Sequence, residues 1–492
     1  MAKRTAIIDI GSNSVRMIIM EKTSRFAFHL LHEVKSRVRI SEDAYQNGGE
    51  LQSPAMDRAV MALKDFMQIA KSYEVRKTLC VATSAVRDAN NKSLFLSRVN
   101  KELGLNIKVI SGEREAYLGG IACANLLPLQ NAMTLDIGGG SSEYAYIKKG
   151  KVVLSSSLDL GTVRLKELFF DKNDIKGARA YIDTALDSLD IGANDHIIGV
   201  GGTFRALAQI IQKTNKHPLD KLHGFSFSAD ELLSLGEKII KAKDAAALKA
   251  LGVKKERYDV IKPGTLILLR IVKKVGAKDL TCSGVGVREG LYLSDLLRNN
   301  RDTFPANFNP SLTYLIDQHG HNATQRNLRV KLAKTLFGFF HQELALEAEF
   351  EKPLLIAAKL AKIGASHHFY SYQKHSHYLA MTALEYGYTH QEITLVSMLI
   401  LNQLGKSPNK SYFTQYECLL PSMQTVRKLS SLLALSDALL SHHPTKIDFE
   451  LNAVKDSLIV TPEAGSAYLA QESVRSLSSC GLKIEFRKRG QE

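Results

Sequence analysis

The chain has 492 residues, 45% hydrophobic and 23% charged, ordinary for a soluble globular protein long enough for two to four domains. Its formal net charge is +15, of which residues 1–300 carry +12 and residues 301–492 carry +3, so an anionic partner is expected to meet the first 300 residues. No Lys/Arg-rich tail, zinc finger or aromatic-basic RNA motif accompanies that charge, which turns the expectation away from DNA and toward a compact polyanion or phosphorylated metabolite. Cys80, Cys123, Cys282, Cys418 and Cys480 form no Cys-x-x-Cys pair, which argues against a disulfide framework or zinc site. The opening "MAKRTAIIDIG" has too few apolar residues for a signal peptide or spanning helix, so a cytoplasmic protein without membrane insertion is expected.

In chain order, "TAIIDI", the turn "GSNS", "VRMIIM" and "RFAFHLLHEV" read as strand, turn, strand, strand. A helix follows, with Ser53 as expected N-cap and Pro54 at its first position, running to about Tyr73. Then come the strand "KTLCVAT", a helix to about Leu103, the strand "NIKVIS" and the helix "EREAYLGGIACANLL". At "NAMTLDI" the pattern restarts, with the turn "GGGSS", two more strands and helical segments leading to "HIIGVGGTFRALAQII". Asp9-Ile10-Gly11-Ser12 and Asp136-Ile137-Gly138-Gly139 stand 127 residues apart in equivalent places, which suggests internal duplication. Helical segments dominate from about 308 to 443, and the tail reads as a hairpin near Lys455-Asp456, a helix from about Ala467 to Ser478 and a last strand "LKIEFRK". The expected domains are 1–125, 126–305, 306–443 and 444–492.

A Gly/Ser turn directly after a strand leaves backbone N–H groups pointing outward with little side-chain bulk, which suits phosphate oxygens. Two such turns, each preceded by Asp, could hold a phosphate chain from both sides, with Asp9 and Asp136 placed for a divalent cation, Mg²⁺ being the natural match for oxygen ligands. Turn carboxylates also cap local N–H groups, so either Asp alone is ambiguous. Glu143, at the start of the outgoing strand, adds a third acid that a metal or its water would explain. Glu113 and Glu115 both lie in the first turn of a helix, where acids are favoured anyway, and spacing alone does not say which could orient a water for attack on phosphorus. Arg87 after "ATSAV" and Arg205 after "GVGGTF" recur in similar places and could fork onto phosphate oxygens; Lys35, Arg37 and Arg39 would share one strand face.

The runs "AIIDIGSNSVRMII", "VATSAVRDA", "VISGEREAYLGGI", "LDIGGGSSE", "SLDLGTVRLKE", "GVGGTFRALA" and "VGVREGL" resemble, in order and spacing, the exopolyphosphatase/guanosine pentaphosphate phosphohydrolase family, within the superfamily of actin, heat-shock chaperones and sugar kinases. The resemblance implies two ribonuclease-H-like α/β domains around a cleft, an all-α HD-like domain and a small α/β C-terminal segment. It also implies Mg²⁺-dependent release of a terminal phosphate from inorganic polyphosphate, or of the 5′-phosphate of pppGpp to give ppGpp. Carried over, the catalytic base falls on Glu115, the metal clamp on Asp136 and Glu143 with Asp9 opposite, and the phosphate-binding turn on Gly139, Gly140, Ser141 and Ser142. Ser12, Asn13 and Ser14 match the opposite turn, Arg87 the phosphate-binding arginine, and Gly202, Thr203 and Arg205 complete the expected phosphate contacts.

In the helical region "AAKLAKIGASHH" resembles the His-Asp segment of HD phosphohydrolases, but the two ligand positions hold Ala361 and Lys362. Lysine cannot replace a bridging carboxylate, so metal chemistry is not expected there despite His367, His368, His375 and His377; lengthening an anion channel or joining a homodimer is. The competing functional readings are a kinase or chaperone-like ATPase of the same superfamily, and a non-catalytic alarmone or polyphosphate sensor, which would have no use for a base.

Overall fold

The computed structural model describes residues 3–44, 47–187, 192–404, 409–463, 467–477 and 482–487, in two compact units, Met1–Pro310 and Ser311–Glu492. The first unit is built on two sheets. One has the order β3-β2-β1-β4-β5, from β1 (Lys3–Ile10), β2 (Val15–Lys22), β3 (Phe28–Ser36), β4 (Lys77–Ala82) and β5 (Lys108–Val109). The other has the order β10-β11-β9-β6-β7-β8, from β6 (Ala132–Ile137), β7 (Ser142–Lys148), β8 (Lys151–Leu158), β9 (His196–Val200), β10 (Ser226–Ser228) and β11 (Asp279–Cys282). In each sheet a three-stranded antiparallel meander continues into two parallel strands, so β3-β2-β1-β4-β5 and β8-β7-β6-β9-β11 repeat one topology.

The central strands explain that arrangement. Ala6, Ile7 and Ile8 in β1 are fully buried, an unbroken apolar run of the kind needed where both faces of a sheet are covered. The helix Ser53–Ser72 supplies one cover, placing Met56, Ala59, Val60, Leu63 and Phe66 at helical spacing in the same core as Ile8 and Ile10. Each such side chain removed from water contributes about 1.5–3 kcal/mol. Ser53 is the first helical residue and not the N-cap. The N–H groups of Ala55 and Met56 both donate to the Gln52 carbonyl, which makes Gln52 the cap and moves Pro54 one place into the first turn. The helix Ile261–Val275 does the same for the second sheet, with Leu266, Ile267, Leu268, Ile271 and Val272 in its core.

The unit from Ser311 packs its helices and a small sheet of β12 (Phe449–Val454), β13 (Ser457–Pro462) and β14 (Lys483–Phe486) about one core, to which Leu433, Phe449, Leu458 and Leu482 all belong. The tail helix spans Tyr468–Arg475; Ser478 and Cys480 lie outside the described residues. Lys362 does more here than vacate a metal position. Its Nζ lies 2.9 Å from Asp437 Oδ2 while Arg329 Nε lies 2.8 Å from Oδ1, so two cations share one partly buried carboxylate. Among the described residues no three His, Cys, Asp or Glu side chains converge on a metal position. His377 is engaged by the Ser397 carbonyl and the Tyr412 hydroxyl, and the His367 and His375 rings pack edge to face. No helix among the described residues is long and apolar enough to cross a membrane.

Candidate active site

β1 and β6 occupy matching places in their sheets, and each ends in Asp before its turn. The turns close with the same hydrogen bond: Gly11 N–H donates to the Ser14 carbonyl at 3.2 Å, and Gly138 N–H to the Ser141 carbonyl at 2.9 Å. Their other carbonyls are occupied from behind. Arg39 N–H donates to Asn13 and Ser41 N–H to Ser12, while Thr162 N–H donates to Gly138 and Val163 N–H to Gly139. Among the described residues the N–H groups of Ser12, Asn13, Gly139 and Gly140 meet no backbone acceptor, which is the construction of an anion nest. The two turns face each other closely: a Cβ built on Gly139 would lie 2.7 Å from Ser12 Cβ.

Between them is a cleft of about 160 Å³. Ser12, Asn13 and Ser14 line one wall, Gly139 and Ser141 the other, and the start of the helix Gly201–Thr214 adds Gly202 and Thr203. Orphan N–H groups of a helix's first turn favour phosphate in the same way. Gly201, at φ +79°, lets this helix start against Asp136, where a Cβ would come within 2.2 Å of Oδ1. Arg205 lines the cleft with its Nε bonded to the Ser283 carbonyl at 2.8 Å, which fixes the plane of its guanidinium.

Four carboxylates enter the cleft: Asp9, Glu115, Asp136 and Glu143. Asp136 and Glu143 are register partners across β6 and β7; the positions 127 residues earlier, across β1 and β2, pair Asp9 with Arg16. Burial, opposed by Arg288 and Arg16 and reinforced by Asp136, pushes Asp9 up to about 6. Burial also raises Asp136, against Arg205, Arg16 and Arg288. Glu143 is pushed up to about 7 by burial, although the Ser141 and Ser157 hydroxyls donate to its Oε1. Asp136 and Glu143, adjacent hard oxygen donors whose carboxyls burial raises, would suit a divalent cation. Mg²⁺ keeps several waters and takes substrate oxygens, so it needs two carboxylates and not a full protein cage.

Glu115 and Glu113 separate clearly in three dimensions. Ser111 caps the helix Gly112–Leu126, its hydroxyl accepting Arg114 N–H at 3.2 Å; Glu113 is exposed there and held below its usual range by hydrogen bonds with its own backbone and Ser111. Two residues on, about 200° around the helix, Glu115 turns into the cleft. Burial, then the charges of Glu143 and Asp9, hold it well above the usual carboxylate range, and Arg87 pulls it back. Arg87 Nη1 lies 3.2 Å from Glu115 Oε2 and Nε 3.2 Å from Asp88, so Arg87 is a partner of the acid and does not line the cleft itself.

Two further expectations meet a different geometry. Ser142 begins β7 with its hydroxyl donating to the Leu160 carbonyl and does not line the cleft, whereas Gly140 gives its carbonyl to Arg164 Nε at 2.8 Å and keeps only its N–H for the turn. Lys35, Arg37 and Arg39 do not share a strand face, because β3 ends at Ser36 and Arg39 sits at φ 48°. Lys35 lines the cleft, whereas Arg37 and Arg39 pair with Asp259 at 3.3 and 3.2 Å. Sequence reasoning missed Arg16, Arg257 and Arg288, which line the cleft; Arg288 is buried with Nη1 2.8 Å from Glu33. The available signal was a charge inside the apolar runs "VRMIIM" and "VGVREGLYL".

Two α/β lobes of repeated topology, closing a polar cleft on paired Gly/Ser turns, define a phosphate-handling protein of the actin-like class. The chain belongs to the Ppx/GppA phosphatase family, whose profile matches residues 18–299, with the family's domain III matching residues 311–458. It is similar to a guanosine-5'-triphosphate,3'-diphosphate pyrophosphatase of Pseudoalteromonas translucida, at 28% identity over 408 residues covering 79% of this chain and 78% of that protein. A bifunctional 3-dehydroquinate synthase/phosphatase of Fusobacterium nucleatum is 31% identical over 292 residues; the match covers 55% of this chain and only 43% of that longer protein. Among solved structures, the Aquifex aeolicus Ppx/GppA family member aligns with TM-score 0.53 and 29% identity, over 61% of this chain and 99% of its own. An exopolyphosphatase from Cytophaga hutchinsonii aligns with TM-score 0.55 at 24% identity, over 61% and 100%, a likeness of fold.

Proposed function

We propose that this protein hydrolyses a terminal phosphoanhydride, releasing orthophosphate from inorganic polyphosphate, from the 5′ end of pppGpp to leave ppGpp, or from both. The observation that carries the reading is Glu115, a buried carboxylate of raised proton affinity directed into a cleft whose walls are two facing phosphate-type turns. The turn N–H groups and the start of the helix Gly201–Thr214 hold the terminal phosphate and orient it for in-line attack. Arg16, Arg205 and Arg288 offset its negative charge, supported from behind by carbonyls and by Glu33. Glu115 accepts the proton of the attacking water, with Arg87 fixing its Oε2 and keeping enough of it ionised to do so. Mg²⁺ or another divalent cation, held by Asp136 and Glu143 with Asp9 across the cleft, supplies further neutralisation of phosphate oxygens when bound.

The cleft continues past Gly202, Arg205 and Arg257 into a pocket of about 240 Å³ that adds Lys254, a basic extension suited to the phosphates behind the terminal one. The superfamily's kinases must protect a phosphoryl group from water, so a poised base favours hydrolysis over transfer; a sensor would need none. Purified protein with Mg²⁺ is offered long-chain polyphosphate and pppGpp separately. Orthophosphate release from at least one is expected, and release from neither overturns the reading.

A further inference from the structure

The first sheet carries a second cavity at the edge away from the cleft. β1 and β4 run parallel and β2 runs back, so the starts of β1 and β4 meet the end of β2 there. Lys3 to Asp9 is six strand steps, about 20 Å, so this cavity is remote from the catalytic carboxylates. It measures about 520 Å³, against about 160 Å³ for the cleft.

Its lining is strongly basic. Lys3 and Arg4 come from β1, Lys22 and Arg25 from the end of β2 and its turn, and Arg76 and Lys77 from the start of β4. Arg298 closes it after the helix Val287–Leu296, and Asp295 is the one carboxylate among the described lining residues. Part of this charge is answered: Arg4 pairs with Glu21 at 2.8 Å, and Asp295 takes Lys77 and Arg298 at 2.5 and 3.2 Å. Lys3, Lys22 and Arg25 have no carboxylate at ion-pair distance among the described residues; Arg25 instead lies 5.0 Å over the Phe26 ring. Lys3 and Lys22 are moreover direct register partners across β1 and β2. Like charges so placed destabilise an antiparallel pair. Burial, then Lys3, Arg25 and Arg298, hold the Lys22 ammonium below its ordinary range.

We propose that this cavity is a second binding site for a condensed phosphate chain, inorganic or carried by a nucleotide, whose successive charges answer Lys3, Lys22 and Arg25 together. The excess of cations over carboxylates, spread across a space larger than the cleft, suits several linked phosphates better than one. The inference goes beyond the proposed hydrolysis and does not depend on it.

The test is calorimetric titration of the full chain with tripolyphosphate in EDTA, comparing wild type with Lys22→Met/Arg25→Met. Two tripolyphosphate sites per chain are expected in wild type, the cleft and this cavity, and in the variant binding at one of them about tenfold or more weaker with the other kept, since each lost charge-assisted contact removes a large part of the affinity. Phosphate release with Mg²⁺ should stay unchanged, and the anion-free melting temperature should be no lower, because the like-charge pair is gone. Lys22→Gln alone gives the same readout if the double variant folds poorly. GTP in place of tripolyphosphate distinguishes the sources: a difference between wild type and variant with tripolyphosphate alone assigns the inorganic chain, and with GTP as well admits the nucleotide. The same number and strength of sites in wild type and variant overturns the proposal, as does orthophosphate binding as tightly as tripolyphosphate.

Discussion

Asp136 and Glu143 stand directly opposite each other on β6 and β7, two carboxylates in register where the repeated lobe pairs Asp9 with Arg16. The acid–base pair answers part of its own charge, whereas the acid–acid pair places like charges across the sheet, which a bound cation would relieve. On the proposed reading a cation would sit on the second lobe beside Asp136 and Glu143, while Arg16 answers Asp9 on the first. Glu143→Gln should therefore raise the Mg²⁺ concentration needed for half-maximal phosphate release by about tenfold or more, an outer limit being loss of activity. Without a cation the same variant should melt no lower than wild type, since glutamine resembles the protonated acid that burial already favours. A Mg²⁺ titration beside a cation-free melt checks both halves; an unchanged Mg²⁺ requirement would remove Glu143 from the clamp.

The approach of Gly139 to Ser12 predicts a steric effect with a specific remedy. Gly139→Ala places its new Cβ 2.7 Å from Ser12 Cβ, so the two turns must part by a fraction of an ångström. Misplacing a reacting group by about 1 Å can cost about 100-fold, so a fall in kcat/KM of about 10- to 100-fold is expected. Adding Ser12→Gly removes the opposing atoms and should restore part of the rate. No recovery in the double variant would mean that the glycine matters for another reason.

Much of this site is legible in the sequence, and what is not has identifiable causes. The two Asp-Ile-Gly turns declare themselves because the strand, turn and strand recur at one spacing, and the same spacing carries the closing hydrogen bonds of Gly11 and Gly138. Glu113 and Glu115 cannot be separated on paper, since both satisfy a helix start; only the direction in which the helix Gly112–Leu126 is packed decides. Ser142 looks equivalent to Ser141 as a letter, but the pleat sends its hydroxyl to Leu160. Arg16 and Arg288 escaped notice because a lone charge in an apolar run does not say what answers it. The answer here lies in elements far apart in the chain, Asp9 across the strand pair and Glu33 against the helix Val287–Leu296.

The pH dependence should report Glu115. A base works ionised, and burial with Glu143 and Asp9 raises its proton affinity, so kcat/KM should climb as pH rises through a limb above the ordinary carboxylate range. Arg87 acts in the opposite direction, and Arg87→Met should move that limb to higher pH. A pH–rate profile in which Arg87→Met leaves the limb in place would separate Arg87 from the base.

In the helical unit, burial alone would raise Asp437, but Arg329 and then Lys362 outweigh it and hold the carboxyl below its usual range. A depressed folded value contributes stability that is fully present above the unfolded value of about 3.9 and is lost as pH falls through the folded one. Arg329→Met should cost about 1–3 kcal/mol at neutral pH, because it leaves a partly buried carboxylate with half its support. Urea denaturation of the two proteins at pH 7 and at pH 3 should show the gap shrinking on acidification. A gap that grows instead would contradict the ion-pair account.

The central claim is that Glu115 is the base for hydrolysis. Its most direct test is single-turnover phosphate release by Glu115→Gln and wild type at saturating substrate and Mg²⁺. The account predicts a rate lower by about 100- to 10,000-fold with substrate binding little changed. A variant that retains the wild-type rate would contradict it.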